Sequence, residues 1–103
     1  MIRGTTAQFK FKLPYTKSQL TQMYVVFWQP GNPQMSPIKK TLTDCAGNGS
    51  EVSVSLSVAE TKQFSDRFKA KMQLKFTCNG VVYGSKPQSI IVYPMCDAIV
   101  ENT

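Results

Sequence analysis

Apolar and polar residues alternate along most of this chain. In residues 51–57 the apolar positions Val52, Val54 and Leu56 are separated by serines. A period of two is typical of a β-strand with one face in the core and the other in water. The same alternation predicts strands at 5–13 and 69–76, each with lysines on its outward face.

The remaining segments complete an all-β pattern. Residues 23–28 form a β-branched and aromatic run, which predicts a central strand covered on both faces. Weaker patterns predict strands at 38–43, 81–85 and 89–93, and Asn79-Gly80 predicts the hairpin turn before the second of these. Ser57 and Glu60 have the spacing of a capping box, so a short helical turn is expected at 58–64, with Phe64 against the core.

About seven short strands and one helical turn predict an immunoglobulin-like β-sandwich, with a small barrel as the alternative. No helical pattern is long enough for a parallel crossover. The 103 residues are predicted to form a single domain, in which the more acidic residues 95–103 could serve as a C-terminal arm.

Candidate catalytic chemistry is scarce. The chain has no histidine, its few carboxylates are scattered, and no glycine-rich phosphate loop is present. We therefore predict no enzyme activity, no catalytic residues, no metal site and no cofactor. Cys45, Cys78 and Cys96 are odd in number and lack a metal-binding spacing, so free thiols in a reducing compartment are expected. No apolar run reaches the ~20 residues of a membrane span, and none marks a secretory signal.

Positive charge is concentrated in the first part of the chain. Residues 1–43 hold six basic residues and no acidic one, whereas the charges of 44–103 cancel. The predicted outward strand faces supply the candidate basic residues: Lys10, Lys12, Lys69, Lys71 and Lys75. The preferred interpretation is a solvated face whose lysines protect edge strands from aggregation. An acidic protein partner and nucleic acid are the alternatives.

Aromatic residues and one loop provide candidate interface positions. Tyr24, Trp28 and Tyr93 are of the types enriched at protein–protein hot spots, although Trp28 is predicted to pack in the core. The loop 29–37 contains Pro30 and Met35 and could reach a neighbouring subunit or simply connect two strands. The candidate interface thus consists of Trp28, Pro30, Met35 and Tyr93.

Several short signatures follow one another along the chain in a distinctive order. They are Met1-Ile2-Arg3-Gly4-Thr5-Thr6, Phe9 to Leu13-Pro14, Phe27-Trp28-Gln29, Glu60-Thr61 with Phe64, Met72-Gln73-Leu74 before Asn79-Gly80, Ser85, and Ile91-Val92-Tyr93-Pro94. In this order the chain resembles short proteins encoded in phages and prophages of gut Gram-positive bacteria. It is similar, more loosely, to the N-terminal β-sandwich domain of phage baseplate upper proteins.

The resemblance implies a virion structural or assembly protein, as a tail, baseplate or fibre-adaptor module. The expected partners are other virion proteins and further copies of the chain, and no membrane is involved. The expected location is the virion, after synthesis in the bacterial cytoplasm. A basic nucleic-acid-binding module and a carbohydrate-binding domain for host attachment are the two alternatives.

Overall fold

A computed structural model describes residues 1–33, 35–47 and 49–94. These residues form eight strands and three short helical turns. The strands are β1 (Ala7–Lys12), β2 (Leu20–Trp28), β3 (Ile38–Thr41), β4 (Cys45–Ala46), β5 (Glu51–Leu56), β6 (Ala70–Cys78), β7 (Val81–Gly84) and β8 (Gln88–Ile90). The α-helical turn α1 is Val58–Thr61, and 3-10 turns lie at Lys17–Gln19 and Leu42–Asp44.

The strands form two antiparallel sheets. One has the order β1-β5-β4, and the other has the order β3-β2-β6-β7, with β8 also paired to β6. In the immunoglobulin scheme the first sheet corresponds to strands B-E-D and the second to C′-C-F-G. The predicted immunoglobulin-like sandwich is therefore confirmed, and β7 and β8 together take the place of the last strand.

The core lies between the sheets and follows the alternation of the sequence. Met23, Val25 and Phe27 of β2 are fully buried, as are the apolar residues of β5. The Phe9 and Phe27 rings, one from each sheet, lie 5.1 Å apart between their centroids. Such contacts between inward faces hold the two sheets together, because each sheet removes apolar surface of the other from water.

The prediction that 23–28 is covered on both faces is wrong. Tyr24, Val26 and Trp28 point to the outer side of the sheet and are only half-buried. Trp28 is consequently not the core residue that its position on a central strand predicted. No second layer packs on this side in the described part of the chain, so the apolar residues there remain accessible.

The helical turn α1 begins as the capping box predicts. The Ser57 hydroxyl accepts a hydrogen bond from the Glu60 N–H, and the Glu60 carboxylate accepts one from the Ser57 N–H. Phe64 is 1% exposed and packs in the core, as predicted. Thr61 is also buried, and its hydroxyl donates to the Thr5 carbonyl at 2.7 Å, which ties the turn to the start of β1.

Two elements differ from the sequence prediction. β4 is a short strand that the sequence pattern does not predict, and it forms because Cys45 and Ala46 pair with Val54 and Ser53 of β5. The strand predicted at 89–93 ends at Ile90, and Tyr93 forms a separate parallel bridge with Ile2. Cys45 and Cys78 are buried free thiols, whereas Cys96 and the predicted arm 95–103 lie outside the described residues.

Gly47 is the position where the backbone demands glycine most strongly. Its φ is +133°, and a Cβ added there would overlap the Glu51 carbonyl oxygen. We expect Gly47→Ala to lower the free energy of unfolding by about 2 kcal/mol or more. Gly84→Ala is the control, because no atom lies within 4 Å of a Cβ at that position. Urea unfolding curves that coincide for the two variants would contradict this expectation.

Lys40 and Glu60 join β3 to α1 through an ion pair of 2.8 Å. Burial raises the pKa of Glu60, but the hydrogen bonds from Lys40 and Ser57 and the Lys40 charge outweigh it, so the pKa lies below its ordinary value. A carboxyl whose pKa is lowered by folding stabilises the native state above its unfolded pKa, and this contribution is lost as the pH falls through the folded value.

Glu60→Gln should therefore flatten the acid side of the stability profile below about pH 4.3, the ordinary pKa of a glutamate. At neutral pH the expected loss is about 1 kcal/mol, since the pair is partly solvated. Thermal unfolding measured from neutral pH downward checks both effects. Equal acid sensitivity in the wild type and in Glu60→Gln would show that this pair does not contribute.

Candidate protein-binding face

The outer side of the five-stranded sheet carries an apolar stripe. Tyr24, Val26 and Trp28 follow one another along β2 at alternate positions and point away from the core. The neighbouring outward positions, on β6, are polar or cationic. The pairing of β2 with β6 places Lys75 beside Tyr24, Gln73 beside Val26 and Lys71 beside Trp28. We call this surface the β2 face.

Beside the stripe, the β2 face has a hollow of about 540 Å³. Val82 of β7 forms one wall and is 57% exposed. Gly84 pairs with Lys75 on the same side, and because it has no side chain, the surface is open at this point. The complete lining is Tyr24, Val26, Lys39, Gln73, Leu74, Lys75, Val82, Tyr83 and Gly84.

The electrostatic character of the β2 face is cationic. None of the residues that line the hollow is acidic. Lys39 lies opposite Val26, and its Nζ is 3.9 Å from the centre of the Tyr24 ring, which is cation–π geometry. Lys71 Nζ donates to the Ser89 hydroxyl at 2.9 Å. These contacts hold two of the lysines at the rim of the stripe.

The predicted basic residues do not form a single surface. Lys10 and Lys12 lie on the outer side of β1 in the first sheet, whereas Lys71 and Lys75 lie on the outer side of β6 in the second. The two groups therefore occupy opposite faces of the sandwich. Lys69 is exposed and precedes β6.

Edge protection explains only the first of these lysine groups. β1 is an edge strand, as that interpretation requires. β6 lies between β2 and the β7–β8 side of the sheet, so Lys71 and Lys75 cannot have this role.

The predicted interface residues are also dispersed. Trp28 belongs to the β2 face, and the exposed Pro30 follows two residues later. Met35 is half-buried and packs against the core, so most of its apolar surface is already used. Tyr93 is 53% exposed and pairs with Ile2, away from β2.

The sequence interpretation did not single out Val26, Lys39, Val82 or Gly84. Val26 lies in the run predicted to be covered on both faces, and no pattern marks it as outward because Val25 and Val26 are both apolar. Lys39, Val82 and Gly84 come from other strands and approach the stripe only through sheet pairing.

Residues 1–33, 35–47 and 49–94 contain no group of three or more cysteine, aspartate or glutamate side chains that could hold a metal ion. Over the same residues, no helix is long and apolar enough to cross a membrane.

Comparisons with known proteins support the fold. No known family's sequence model matches the chain, and no curated protein matches it. Among solved structures, the swine CD8αα homodimer is similar with a TM-score of 0.50 and 15% sequence identity, over 91% of this chain and 89% of that chain. The similarity agrees with the topology described above: this chain has an all-β, immunoglobulin-like sandwich fold.

Proposed function

We propose that this protein is a non-enzymatic structural or assembly protein of a phage particle, in the position of a tail, baseplate or fibre-adaptor module. It acts by binding other virion proteins through the β2 face. The observation that carries the proposal is the half-buried stripe of Tyr24, Val26 and Trp28 on a central strand, over which no described element packs. The phage assignment itself rests on the order of sequence signatures from Met1 to Pro94.

The composition of the β2 face supports a protein partner. Protein interfaces combine an apolar, aromatic-rich centre with a polar rim. Here tyrosine, valine and tryptophan side chains occupy the centre, while Lys39 and Lys75 lie at the rim. A partner with a matching apolar centre and an acidic rim is expected to bind best, because complementary charge raises the association rate and selects the partner.

Repeated assembly is the usual mode of action of virion proteins, which occupy symmetric positions. The similar solved structure is described as a homodimer, so sandwiches of this shape are compatible with pairing. We therefore include further copies of the chain among its partners, in a virion assembled after synthesis in the bacterial cytoplasm.

Nucleic acid is the second candidate, because Tyr24 and Trp28 share the β2 face with lysines. Basic faces that bind single strands stack bases on exposed aromatic rings. Here the Tyr24 ring is already covered by Lys39, and the aliphatic Val26 and Val82 occupy the area between the cations. The remaining lysine pair, Lys10 and Lys12, is on the opposite sheet. These features favour protein over nucleic acid. A carbohydrate site has less support, since Trp28 is half-buried.

Val82→Asp and Val81→Asp form a matched pair that tests the proposal. Both valines are exposed on β7, at 57% and 50%, but only Val82 lines the β2 face. In bacteria that carry the gene, we expect the protein to be present in purified particles. Val82→Asp should reduce its incorporation at least about tenfold, because an aspartate would be desolvated at the interface, and Val81→Asp should leave it unchanged.

Quantitative mass spectrometry measures the amount of the protein in the particles. The yield of infectious particles is measured in parallel for a strain in which the gene is deleted. Absence of the protein from particles, together with a normal yield of the deletion strain, would contradict the virion assignment. Equal incorporation of the two variants would contradict the β2 face. Light scattering with added single-stranded DNA at low and high salt tests the alternative, since a shift only with DNA at low salt indicates nucleic acid.

A further inference from the structure

A second accessible feature is a slot along the free edge of β1. β1 pairs with β5 on one side only, and no described strand pairs with its other side. A cavity of about 470 Å³ separates this edge from β8 and the segment before it, in the opposite sheet. The lining consists of Phe9, Lys10, Phe11, Lys12, Leu13, Met72, Leu74, Ser85 and Gln88. We call this feature the β1 slot.

Beyond the N-terminal end of β1, the side of the sandwich that carries the slot is closed by a short strand-like contact. Ile2 and Tyr93 form a parallel bridge, the Arg3 N–H donates to the Tyr93 carbonyl at 3.1 Å, and the Tyr93 N–H donates to the Met1 carbonyl at 2.8 Å. This contact ends before β1 begins. In the immunoglobulin scheme the first strand covers this side of the sandwich, so the β1 slot is the part that such a strand leaves open here.

The backbone of β1 is oriented to accept another strand. The Leu13 N–H donates to the Ser50 carbonyl at 2.8 Å. Leu13 and every second residue before it (Phe11, Phe9 and Ala7) therefore direct their backbone N–H and C=O groups toward β5. In an antiparallel pair the intervening residues point the other way. The N–H and C=O groups of Gln8, Lys10 and Lys12 are thus directed out of the sheet, where an extended segment could pair with them.

The side chains around the slot define the chemistry of the occupant. Phe9 and Phe11 are half-buried and face Met72 and Leu74, so the inward positions of an added strand should be small and apolar. Lys10 and Lys12 are exposed on the outward side of the same edge. Opposite charges on neighbouring strands attract, so the outward positions of the occupant should be acidic.

Residues 95–103 of this chain combine small apolar residues at alternate positions with acidic residues between them. Their sequence is Met-Cys-Asp-Ala-Ile-Val-Glu-Asn-Thr, with two acidic residues and no basic one. If the segment is extended, Cys96, Ala98, Val100 and Asn102 would share one side, and the other side would carry Asp97 and Glu101 together with Met95, Ile99 and Thr103. Nine extended residues span about 30 Å, enough to cover the six residues of β1.

A second copy is the better source of this segment than the same chain. Ser85 and Gln88 line the slot opposite β1, and Tyr93 lies near Ala7, at the start of β1. The chain at 88–94 therefore runs opposite to β1 and leaves the slot behind at Pro94. To fill its own slot, the segment would have to reverse direction after Pro94, and a reversing turn takes about two to five residues of the nine. A segment from a second copy can enter the slot over its full length.

We infer that residues 95–103 of one copy add as a strand to the free edge of β1 in a second copy. The contact joins two different surfaces, so it builds rings or linear arrays of subunits. It uses neither Val82 nor the apolar stripe, so it does not depend on the binding of other virion proteins through the β2 face.

Charge reversal in the full-length chain tests the inference. One variant carries Lys10→Glu and Lys12→Glu, and the other carries Asp97→Lys and Glu101→Lys. Sedimentation velocity at low salt should show self-association of the wild type. Each variant alone should associate at least about tenfold more weakly, and an equimolar mixture should recover the wild-type level because opposite charges meet again. Lys62→Glu with Lys69→Glu is the matched control, because both lysines are exposed and neither lines the slot.

Backbone exchange distinguishes strand addition from simple charge attraction. In the associated protein the amides of Gln8, Lys10 and Lys12 should exchange at least about tenfold more slowly than in dilute monomer. Val82→Asp should self-associate like the wild type, because Val82 does not line the slot. An error in the proposed role of the β2 face would therefore not change the result of this test. A monomeric wild type, a mixture that does not recover association, or unprotected amides in an oligomer would each overturn the inference. Protected amides in a monomer would assign the slot to the same chain's own segment and would also overturn it.

Discussion

Val54→Asp is expected to abolish cooperative folding. Val54 is 1% exposed and lies in the central strand of its sheet, paired with Phe9 on one side and Cys45 on the other. A carboxylate there would be buried among the apolar side chains of the core. The cost of burying an unpaired charge, or of protonating it, is about 5 kcal/mol or more, comparable to the whole stability of a small domain. Circular dichroism during heating should show no unfolding transition.

Ser55→Asp is the matched control for this prediction. Ser55 is the next residue of the same strand, but its side chain is exposed on the opposite face. We expect this variant to unfold within about 0.5 kcal/mol of the wild type. A soluble Val54→Asp protein with a cooperative transition would show that β5 is shifted by one residue, since such a shift exchanges the inward and outward faces.

The second large effect is expected at Gln29, a buried polar residue directly after β2. Its Nε2 donates to the carbonyls of Ser65 and Phe68 at 2.6 and 2.7 Å. Its Oε1 accepts the Ser65 N–H at 2.8 Å and the Asn32 side-chain amide at 2.8 Å. One side chain thus connects the loop after β2 to the segment that leads into β6.

Gln29→Leu keeps the approximate volume and removes all four hydrogen bonds. Several backbone groups in this region would lose their partner while the leucine still blocks water, so we expect a loss of about 3 kcal/mol in the free energy of unfolding. For a domain of this size, that lowers Tm by roughly 15 °C. Calorimetry of this variant and of the control Gln22→Leu, at an exposed position of β2, checks the prediction. A Tm within a few degrees of the control would mean that water or rearrangement replaces the Gln29 contacts.

Both residues show what a linear pattern can reveal. Val54 is predictable because an apolar residue between two serines has only one inward orientation in a strand. Gln29 is not, because a glutamine after a strand normally reads as the start of a polar loop. Its burial follows from the approach of Ser65 and Phe68, which are more than thirty residues away in the chain.

The β2 face, too, was predictable only in part from the sequence. The sequence identified Trp28 and the lysines of β6 as residues of interest, but it placed the tryptophan in the core and the lysines at an edge. An element that covers the second side of an apolar strand would come from another part of the chain, so the pattern within the strand cannot predict whether that side is covered. The hollow beside Gly84 likewise depends on the register in which β7 pairs with β6.

The all-β class, the inward faces of β1, β5 and β6, and the capped turn at Ser57 can be predicted from the amino-acid pattern. These features depend on interactions between residues one to four positions apart, so composition and spacing are sufficient. The order of the strands and the position of the lysines on opposite sheets follow from the three-dimensional packing. The same packing leaves the β2 stripe and the free edge of β1 uncovered by any described element. Strand pairing is a choice among distant segments with similar local patterns, and it is made by the packing of the whole core.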